Sequence, residues 1–121
     1  SLKAQLSVNG IREMISFCKT HAIAHDVCGK VVVATSDKEV KALDQLASRG
    51  NQNGLKGLQY LTSEQLKIRE PFVKANKALL VPEEGIVDYK AVMHKMGDLI
   101  KQNDGQVSYN TKVTQSRFHI Y

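Results

Sequence analysis

The sequence has no long hydrophobic segment. A helix that crosses a bilayer needs roughly 18 or more consecutive apolar residues, and no run in the 121 residues approaches that length. The opening residues Ser1 to Gln5 also lack the apolar region of a secretory signal peptide. We therefore expect a soluble, cytoplasmic chain.

Two other absences limit the possible functions. The 17 Lys and Arg residues are spread among 12 acidic residues, so the net charge of +5 forms no basic cluster with interleaved aromatics, and we expect no nucleic-acid partner. The only closely spaced glycines are Gly50, Gly54 and Gly57, and they do not join a strand to a helix as a dinucleotide-binding loop requires. The chain by itself therefore has no phosphate-binding loop.

The residues that are present have the composition of a globular domain. Hydrophobic residues make up 42% and charged residues 24%, and a chain of this length buries roughly two thirds of its unfolded surface. Helical and strand patterns alternate without internal repeats. The predicted fold class is therefore α+β (mixed α/β).

Local patterns predict four helices and several strands. A stripe of Ile11, Met14, Ile15 and Cys18 at helical spacing predicts a long first helix. The remaining helices are predicted from capping signals, and the strands from short β-branched or alternating runs. The predicted helices cover about 2–22, 36–50, 62–68 and 88–103, and the predicted strands cover 31–34, 58–61, 78–81, 106–109 and 114–120. Gly50 is expected to close the second helix in a left-handed conformation.

One local cluster contains the ligand types of a zinc site. Cys18, His21, His25 and Cys28 supply two thiols and two imidazoles. A zinc finger separates its two pairs by about 12 residues so that the chain can fold back around the metal, whereas these four lie within one helix end and its turn. We therefore expect Cys18 to lie on the buried helix stripe, Cys28 to pack under the following strand and the two histidines to be partly exposed near the helix end, with neither a metal nor a disulfide.

The other titratable residues form no complete active site. His94 and His119 are single histidines without a partner at a fixed spacing, which favours structural roles over acid–base catalysis. Asp44, Glu70 and Asp88 are interpreted as a solvated helix residue, a residue preceding proline and a helix cap. We therefore expect no catalytic residue in this chain.

Five blocks of sequence, in order and with their spacing, resemble a known family. They are Ser1–Leu6, Cys28–Thr35, Gln52–Gly54 with Gly57–Leu58, Arg69–Pro71, and Val81–Pro82 with Gly85–Tyr89. Together they resemble the L-2-hydroxyglutarate oxidase and dehydrogenase family, within the D-amino-acid-oxidase-like flavoproteins. The resemblance covers essentially the whole chain, although Ser7 stands where a Cys is common in those sequences.

The resemblance implies that the chain is an internal fragment of a parent enzyme. Such a parent oxidises a small 2-hydroxy acid to the 2-oxo acid by hydride transfer to FAD, and passes the electrons to oxygen or to a membrane quinone. Residues 1–27 and 87–121 would then belong to the flavin domain, and residues 28–86 to the substrate domain. The family's glycine-rich loop and its catalytic residues would lie outside the chain, so the fragment alone would be inactive and bind no FAD.

The resemblance also implies one cofactor contact and one property of the isolated fragment. Val113 falls where related flavoproteins use the backbone of a valine to contact adenine, although a plain strand valine explains it equally well. Apolar positions such as Ile15, Val92, Met96 and Val107 would lose cover from the missing flavin domain. We therefore expect the isolated fragment to self-associate, through its helices or through residues 106–120.

Two alternatives stay open from the sequence. The chain could be a free-standing α+β binding or interaction module, or its parent could be a flavin oxidase of glycerol 3-phosphate or of an amino acid. The parent could also be associated with a membrane rather than free in the cytoplasm. No residue in the chain can be assigned to recognition of the substrate carboxylate, so the identity of the substrate rests on the resemblance alone.

Overall fold

The computed structural model describes residues 1–117, which form a mixture of helices and small antiparallel sheets. The elements are α1 (Leu2–Thr20), β1 (His25–Asp26), β2 (Lys30–Ala34), α2 (Asp37–Gln52), β3 (Gln59–Leu61), α3 (Ser63–Arg69), β4 (Lys77–Val81), β5 (Ile86–Val87) and α4 (Tyr89–Gln102). The predicted α+β class is confirmed.

The chain divides into two compact units. The first contains Ser1–Asp88, and the second begins at Tyr89 with α4. The first unit contains both sheets and three of the four helices found in residues 1–117.

A three-stranded antiparallel sheet organises the first unit, with strand order β2-β4-β3. In the centre, Leu79 of β4 lies opposite Val32 on one side and Tyr60 on the other. The central strand is accordingly the most buried of the three, because both of its edges are paired. The apolar, β-branched run of β2 is typical of a buried strand, but only its last residue is buried, since β2 lies at the sheet edge.

The core forms where α2 packs against this sheet. Ala34, Leu43, Ala47 and Leu79 make a buried cluster. Three partly buried hydrophobic residues pack against it, namely Val32, Val40 and Leu58. The apolar residues of α2 recur at helical spacing, so one side of the helix faces the sheet and the other faces water.

The capping signals at Ser36 and Thr62 both begin helices, but only the one at Thr62 forms a complete capping box. At α3, Thr62 accepts from the Gln65 amide and the Gln65 side chain accepts from the Thr62 amide, which is a full capping box. At α2, Ser36 accepts from the Glu39 amide at 3.4 Å. The Glu39 carboxylate instead accepts from Thr35, at 2.7 Å from its amide nitrogen and 2.9 Å from its hydroxyl.

The expectation for Gly50 is wrong. Helix α2 continues to Gln52, and the left-handed glycine that follows the helix is Gly54, with φ +85°. Gly50 is buried inside the helix, where an added Cβ would lie 2.7 Å from the Leu58 side chain. The glycine is there because Leu58 packs closely on the helix, a contact that local turn signals do not reveal.

The strand predicted at 106–109 is not formed. Residues 105–108 have no regular structure, and neither do residues 111–117. The rest of the strand predicted at 114–120, from residue 118 onward, lies outside the described residues. Two strands were missed, because β1 and β5 have only two residues each and are too short for a periodic pattern.

Candidate functional site

Three of the recognisable sequence blocks meet beside Gly29, at the start of β2. The Gly29 amide donates to the Glu84 carbonyl at 2.8 Å, and the Arg69 guanidinium donates to the Cys28 carbonyl. Gly29 has φ +77°, and an added Cβ would lie 3.2 Å from Leu80. The left-handed backbone therefore favours glycine at this position, and the Leu80 side chain would have to shift slightly to admit a Cβ.

Lys30 adds an ion pair to this junction. Its Nζ lies 3.3 Å from a carboxylate oxygen of Glu84, and both side chains are partly exposed. An exposed pair of this kind contributes little stability. The junction is therefore held mainly by the backbone hydrogen bonds around Gly29.

A second junction joins α1 to two loops through Arg12 and Glu83. The guanidinium of Arg12 donates to Glu83, with a shortest distance of 3.0 Å, and to the Gly54 carbonyl at 2.8 Å. Glu83 also accepts from the Lys56 amide at 2.9 Å. The hydrogen bond from the Lys56 amide lowers the pKa of Glu83 below its ordinary value, and the hydrogen bond from the Arg12 guanidinium lowers it further. A charged Glu83 thus ties α1 to the loop between α2 and β3.

A third cluster lies on the exposed side of the α2 and sheet layer. One oxygen of Asp44 accepts from Lys77 and from the Tyr60 hydroxyl, each at 2.7 Å. The Lys77 ammonium also lies 4.0 Å from the centre of the Tyr60 ring, in the geometry of a cation–π contact. The sequence suggested only that Asp44 is a solvated helix residue. The cluster could not be predicted, because it depends on the strand pairing that brings Lys77 near Tyr60.

The hydrogen bond from Lys77, and next that from Tyr60, lowers the pKa of Asp44. The bond to Asp44 raises the pKa of Tyr60 and also that of Lys77. The stabilisation from Asp44 is present above its unfolded-state pKa and is lost as the pH falls through the lower folded-state pKa. The contributions of Lys77 and Tyr60 are lost at the alkaline end, as the pH rises through their raised values.

We predict that Lys77→Met raises the pKa of Asp44 back toward its ordinary value, because the substitution removes the hydrogen bond from Lys77, which is the largest cause of the lowered pKa. Tyr60→Phe should move it in the same direction by less. An NMR titration of the Asp44 carboxyl carbon measures both shifts. Glu64 is a control, because its lowered pKa comes from its own helix terminus and Thr62. An Asp44 titration unchanged by Lys77→Met would contradict the role of this bond.

A shallow, mostly apolar cavity of about 420 Å³ lies beside the β1–β5 pair. It is lined by Ala24, His25, Asp26, Ile86, Val87 and Asp88. The Nδ1 of His25 lies 2.8 Å from the Ile23 carbonyl, which can only accept, so Nδ1 carries a proton. In the neutral imidazole of His25, Nε2 is then the ring nitrogen without a proton.

The connection between β2 and α2 is not a dinucleotide-binding loop. The turn from β2 to α2 is Thr35–Ser36, without the glycines that let a backbone approach a pyrophosphate. Strand β2 is also paired antiparallel to β4, whereas dinucleotide sites use parallel strands. No step of flavin chemistry is therefore assigned to this chain's own residues.

Comparison with known proteins gives the family. The model of the FAD dependent oxidoreductase family matches residues 1–119. The chain belongs to this family. Curated relatives named L-2-hydroxyglutarate dehydrogenase are 42% identical over 113 residues in Indibacter alkaliphilus and 35% identical over 119 residues in Escherichia coli K12. The mitochondrial protein of that name from Homo sapiens is 34% identical over 113 residues.

These alignments cover most of this chain and a small part of each relative. They include 93%, 98% and 93% of the chain, but only 28%, 28% and 24% of the relatives, respectively. The chain thus spans about a quarter of the length of the flavoproteins it matches. The resemblance stated from the sequence blocks is confirmed.

The four residues of the zinc-like cluster occupy different surroundings in the structure. Cys18 is buried in α1, whereas Cys28 is exposed, and the His21 ring packs edge-on against Phe17 with centroids 4.5 Å apart. Within residues 1–117, no three or more His, Cys, Asp or Glu side chains are grouped so as to hold a metal ion. The packing role expected for Cys18 is confirmed, whereas the expectation that Cys28 packs under the following strand is wrong, because Cys28 is exposed.

The remaining candidate positions are not brought together. Val113 is 79% exposed and lies in an irregular segment. His94 lies on an exposed part of α4, and His119 lies outside the described residues. In residues 1–117, no helix is both long and apolar enough to cross a membrane.

Proposed function

We propose that the protein containing this chain oxidises L-2-hydroxyglutarate to 2-oxoglutarate. The substrate's C2 hydrogen would leave as a hydride to FAD, and its hydroxyl proton would go to a base elsewhere in the protein. The observation that carries the proposal is the 42% identity over 113 residues with a protein named for that substrate. The family match across residues 1–119 favours an oxidoreductase over a free-standing interaction module.

The structure supports this proposal by explaining why the recognisable blocks are spaced as they are. The blocks containing Cys28, Arg69 and Val81 are far apart in the sequence, but β2, α3 and the end of β4 meet beside Gly29. These tertiary contacts would be a physical reason for a family to keep the three blocks. Their role in this chain is to hold the fold, while the chemistry comes from the cofactor.

The sequence blocks also suggest how the chain is divided between the two domains of the parent protein. Residues 28–86 would contribute to the substrate domain, and residues 1–27 and 87–121 to the flavin domain. Arg12 would then join the two domains, since it lies in the first of these segments and binds Glu83 and the Gly54 carbonyl in the second. The catalytic residues and the phosphate-binding loop would come from the rest of the protein.

The test uses the full-length protein with its flavin bound. Anaerobic addition of L-2-hydroxyglutarate should bleach the flavin spectrum, and 2-oxoglutarate should form in equal amount. The D enantiomer, glycerol 3-phosphate and D-amino acids are the comparison substrates. Faster flavin reduction by any of these would overturn the proposed substrate. Reoxidation by oxygen or by a soluble quinone then identifies the electron acceptor.

We propose that the backbone of Val113 contacts the adenine of FAD. In the full-length protein, Val113→Pro should weaken FAD binding by roughly tenfold, because it removes the amide donor and one hydrogen bond. Val113→Ala keeps the amide and should bind FAD nearly as tightly as the original protein. Equilibrium titration of the apoprotein with FAD measures both values. Equal affinities for the two variants would rule out a backbone contact.

We also propose that the isolated 121-residue chain self-associates. Four apolar residues of α4 are exposed at intervals of four, three and four positions, which forms one stripe along the helix: Tyr89, Met93, Met96 and Ile100. Met96 was among the positions expected to lack cover, whereas Val92 is buried and Ile15 and Val107 are partly so. Exposed stripes of this kind usually pack against another surface.

Light scattering at micromolar concentration should therefore give a mass above that of one chain. The double variant Met93→Lys and Met96→Lys should restore the monomer, because it places charges in the middle of the stripe. Leu2→Lys is the control, since Leu2 is as exposed as Met93 but lies on α1. A monomeric original chain, or a double variant that still associates, would contradict self-association through α4.

A further inference from the structure

The sequence contains two Asn-Gly dipeptides, Asn9–Gly10 and Asn53–Gly54. Asparagine is chemically labile when glycine follows it, because the glycine nitrogen can attack the asparagine side chain without hindrance from a Cβ. In a folded protein, the rate of this attack depends on how firmly the glycine amide is held. The two dipeptides have the same chemistry but lie in different surroundings, so their reactivities can be compared within one chain.

The first dipeptide lies inside a long helix. Helix α1 has 19 residues, and Gly10 lies near its middle. The Gly10 amide is therefore part of the regular hydrogen-bonding pattern of the helix. Freeing its nitrogen for attack requires the helix to open in its interior, so we expect Asn9 to react slowly.

The second dipeptide lies where α2 ends. Asn53 is the residue that caps the helix, with φ −84° and ψ 0°, and Gly54 follows it in the left-handed conformation. The Gly54 amide donates to the Asn51 carbonyl at 3.0 Å. This bond belongs to the last turn of the helix, and helix ends open locally at a lower free-energy cost than helix interiors. The nitrogen of Gly54 is therefore freed more easily than that of Gly10.

Arg12 restrains the second dipeptide from another helix. Its guanidinium donates to the Gly54 carbonyl at 2.8 Å and to Glu83 with a shortest distance of 3.0 Å. Arg12 thus holds the carbonyl of the same residue whose nitrogen would attack. Movement of Gly54 toward the Asn53 side chain therefore also disrupts its bond to Arg12.

We propose that Asn53 is a site of spontaneous deamidation, and that Arg12 slows the reaction by holding Gly54. The Gly54 nitrogen forms a bond to the side-chain carbonyl carbon of Asn53. The bond from that carbon to the side-chain nitrogen breaks, and this nitrogen leaves as ammonia with the proton from the Gly54 amide. Water then opens the succinimide to aspartate or isoaspartate. This inference goes beyond the proposed function and does not depend on the identity of the substrate.

The experiment incubates the full-length protein, with its flavin bound, at mildly alkaline pH. Peptide mass spectrometry then measures aspartate and isoaspartate at both dipeptides over time. In the folded protein, Asn53 should react roughly tenfold faster than Asn9, whereas in concentrated urea the two should react at similar rates. Equal rates in the folded protein would overturn the proposal. An Asn53 that stays intact for as long as the urea-unfolded protein needs to react would also overturn it.

Variants of the full-length protein test the role of Arg12. Arg12→Gln should accelerate the reaction at Asn53 by roughly tenfold, because a hydrogen bond from a charged group is lost. Glu83→Gln should accelerate it less, since the bond from Arg12 to Gly54 remains. Lys41→Gln removes another exposed cation, on α2 itself, and should leave the rate unchanged.

The reaction at Asn9 is the internal control in each variant. Acceleration at Asn53 alone supports the local role of Arg12. An unchanged rate at Asn53 in Arg12→Gln would overturn that role. Equal acceleration at both dipeptides would also overturn it, because it would indicate a general loss of stability rather than release of one turn.

Discussion

Leu79→Ala is expected to lower the free energy of unfolding of the first unit by about 3 kcal/mol. Leu79 is 2% exposed, lies in the central strand, and belongs to the buried cluster with Ala34, Leu43 and Ala47. The large cost arises because the change removes three carbons from a site that neighbouring strands and α2 hold in place. The cavity that remains cannot collapse without moving the sheet.

Urea unfolding followed by circular dichroism measures this change. The control is Leu6→Ala, a substitution of the same chemistry at a residue that is 64% exposed on α1. Its effect should stay within about 0.5 kcal/mol, as for most surface changes. A loss below about 1 kcal/mol for Leu79→Ala would show that β4 is not the centre of the core.

Gly85→Ala is expected to have the second largest effect, about 2 to 3 kcal/mol of destabilisation. A Cβ at this position would lie 2.2 Å from the Asp26 carbonyl oxygen and 2.9 Å from the Val27 Cα. Both are backbone atoms, so the clash cannot be relieved by rotating a side chain. To relieve the clash, β1 and β5 would have to move apart. This movement would also widen the cavity that residues of these two strands line.

The same unfolding measurement applies, and Gly10→Ala is its control. An added Cβ at Gly10 meets nothing within 4 Å, and alanine is the better helix former by up to about 1 kcal/mol. Gly10→Ala should therefore stabilise the protein while Gly85→Ala destabilises it. Hydrogen exchange should also show faster exchange of the Asp88 amide in Gly85→Ala, because this amide donates to Ala24 across the pair. Equal stability of the two variants would refute the close approach at Gly85.

The short strands show where local pattern stops being informative. Strands β1 and β5 contain two residues each, and no alternation can be detected over two positions. Their pairing instead depends on Gly85, whose missing side chain lets the two backbones approach. A glycine in a turn sequence has many possible reasons, and this one involves atoms about 60 positions away in the sequence.

The clusters around Asp44 and Arg12 show the same limit for side chains. Each residue looks like an ordinary solvated charge on its own helix. The partners come from other elements: Tyr60 and Lys77 from adjacent strands, and Glu83 from the turn after β4. For the cluster around Asp44, the pairing of Tyr60 with Leu79 places Lys77, two residues before Leu79 on β4, near Tyr60. That strand register is known only from the tertiary structure.

The sequence by itself determined the elements whose causes are local, and the family. Helix caps at Ser36 and Thr62, the apolar stripe of α2 and the β-branched run of β2 depend on neighbours within a few residues, so these elements could be predicted. The ordered blocks identified the flavoprotein family. The tertiary structure alone decided that Gly50 lies inside a helix beneath Leu58, which strand is central, and which charges meet. These outcomes depend on contacts between distant residues, and a contact of that kind exists only after the chain has folded.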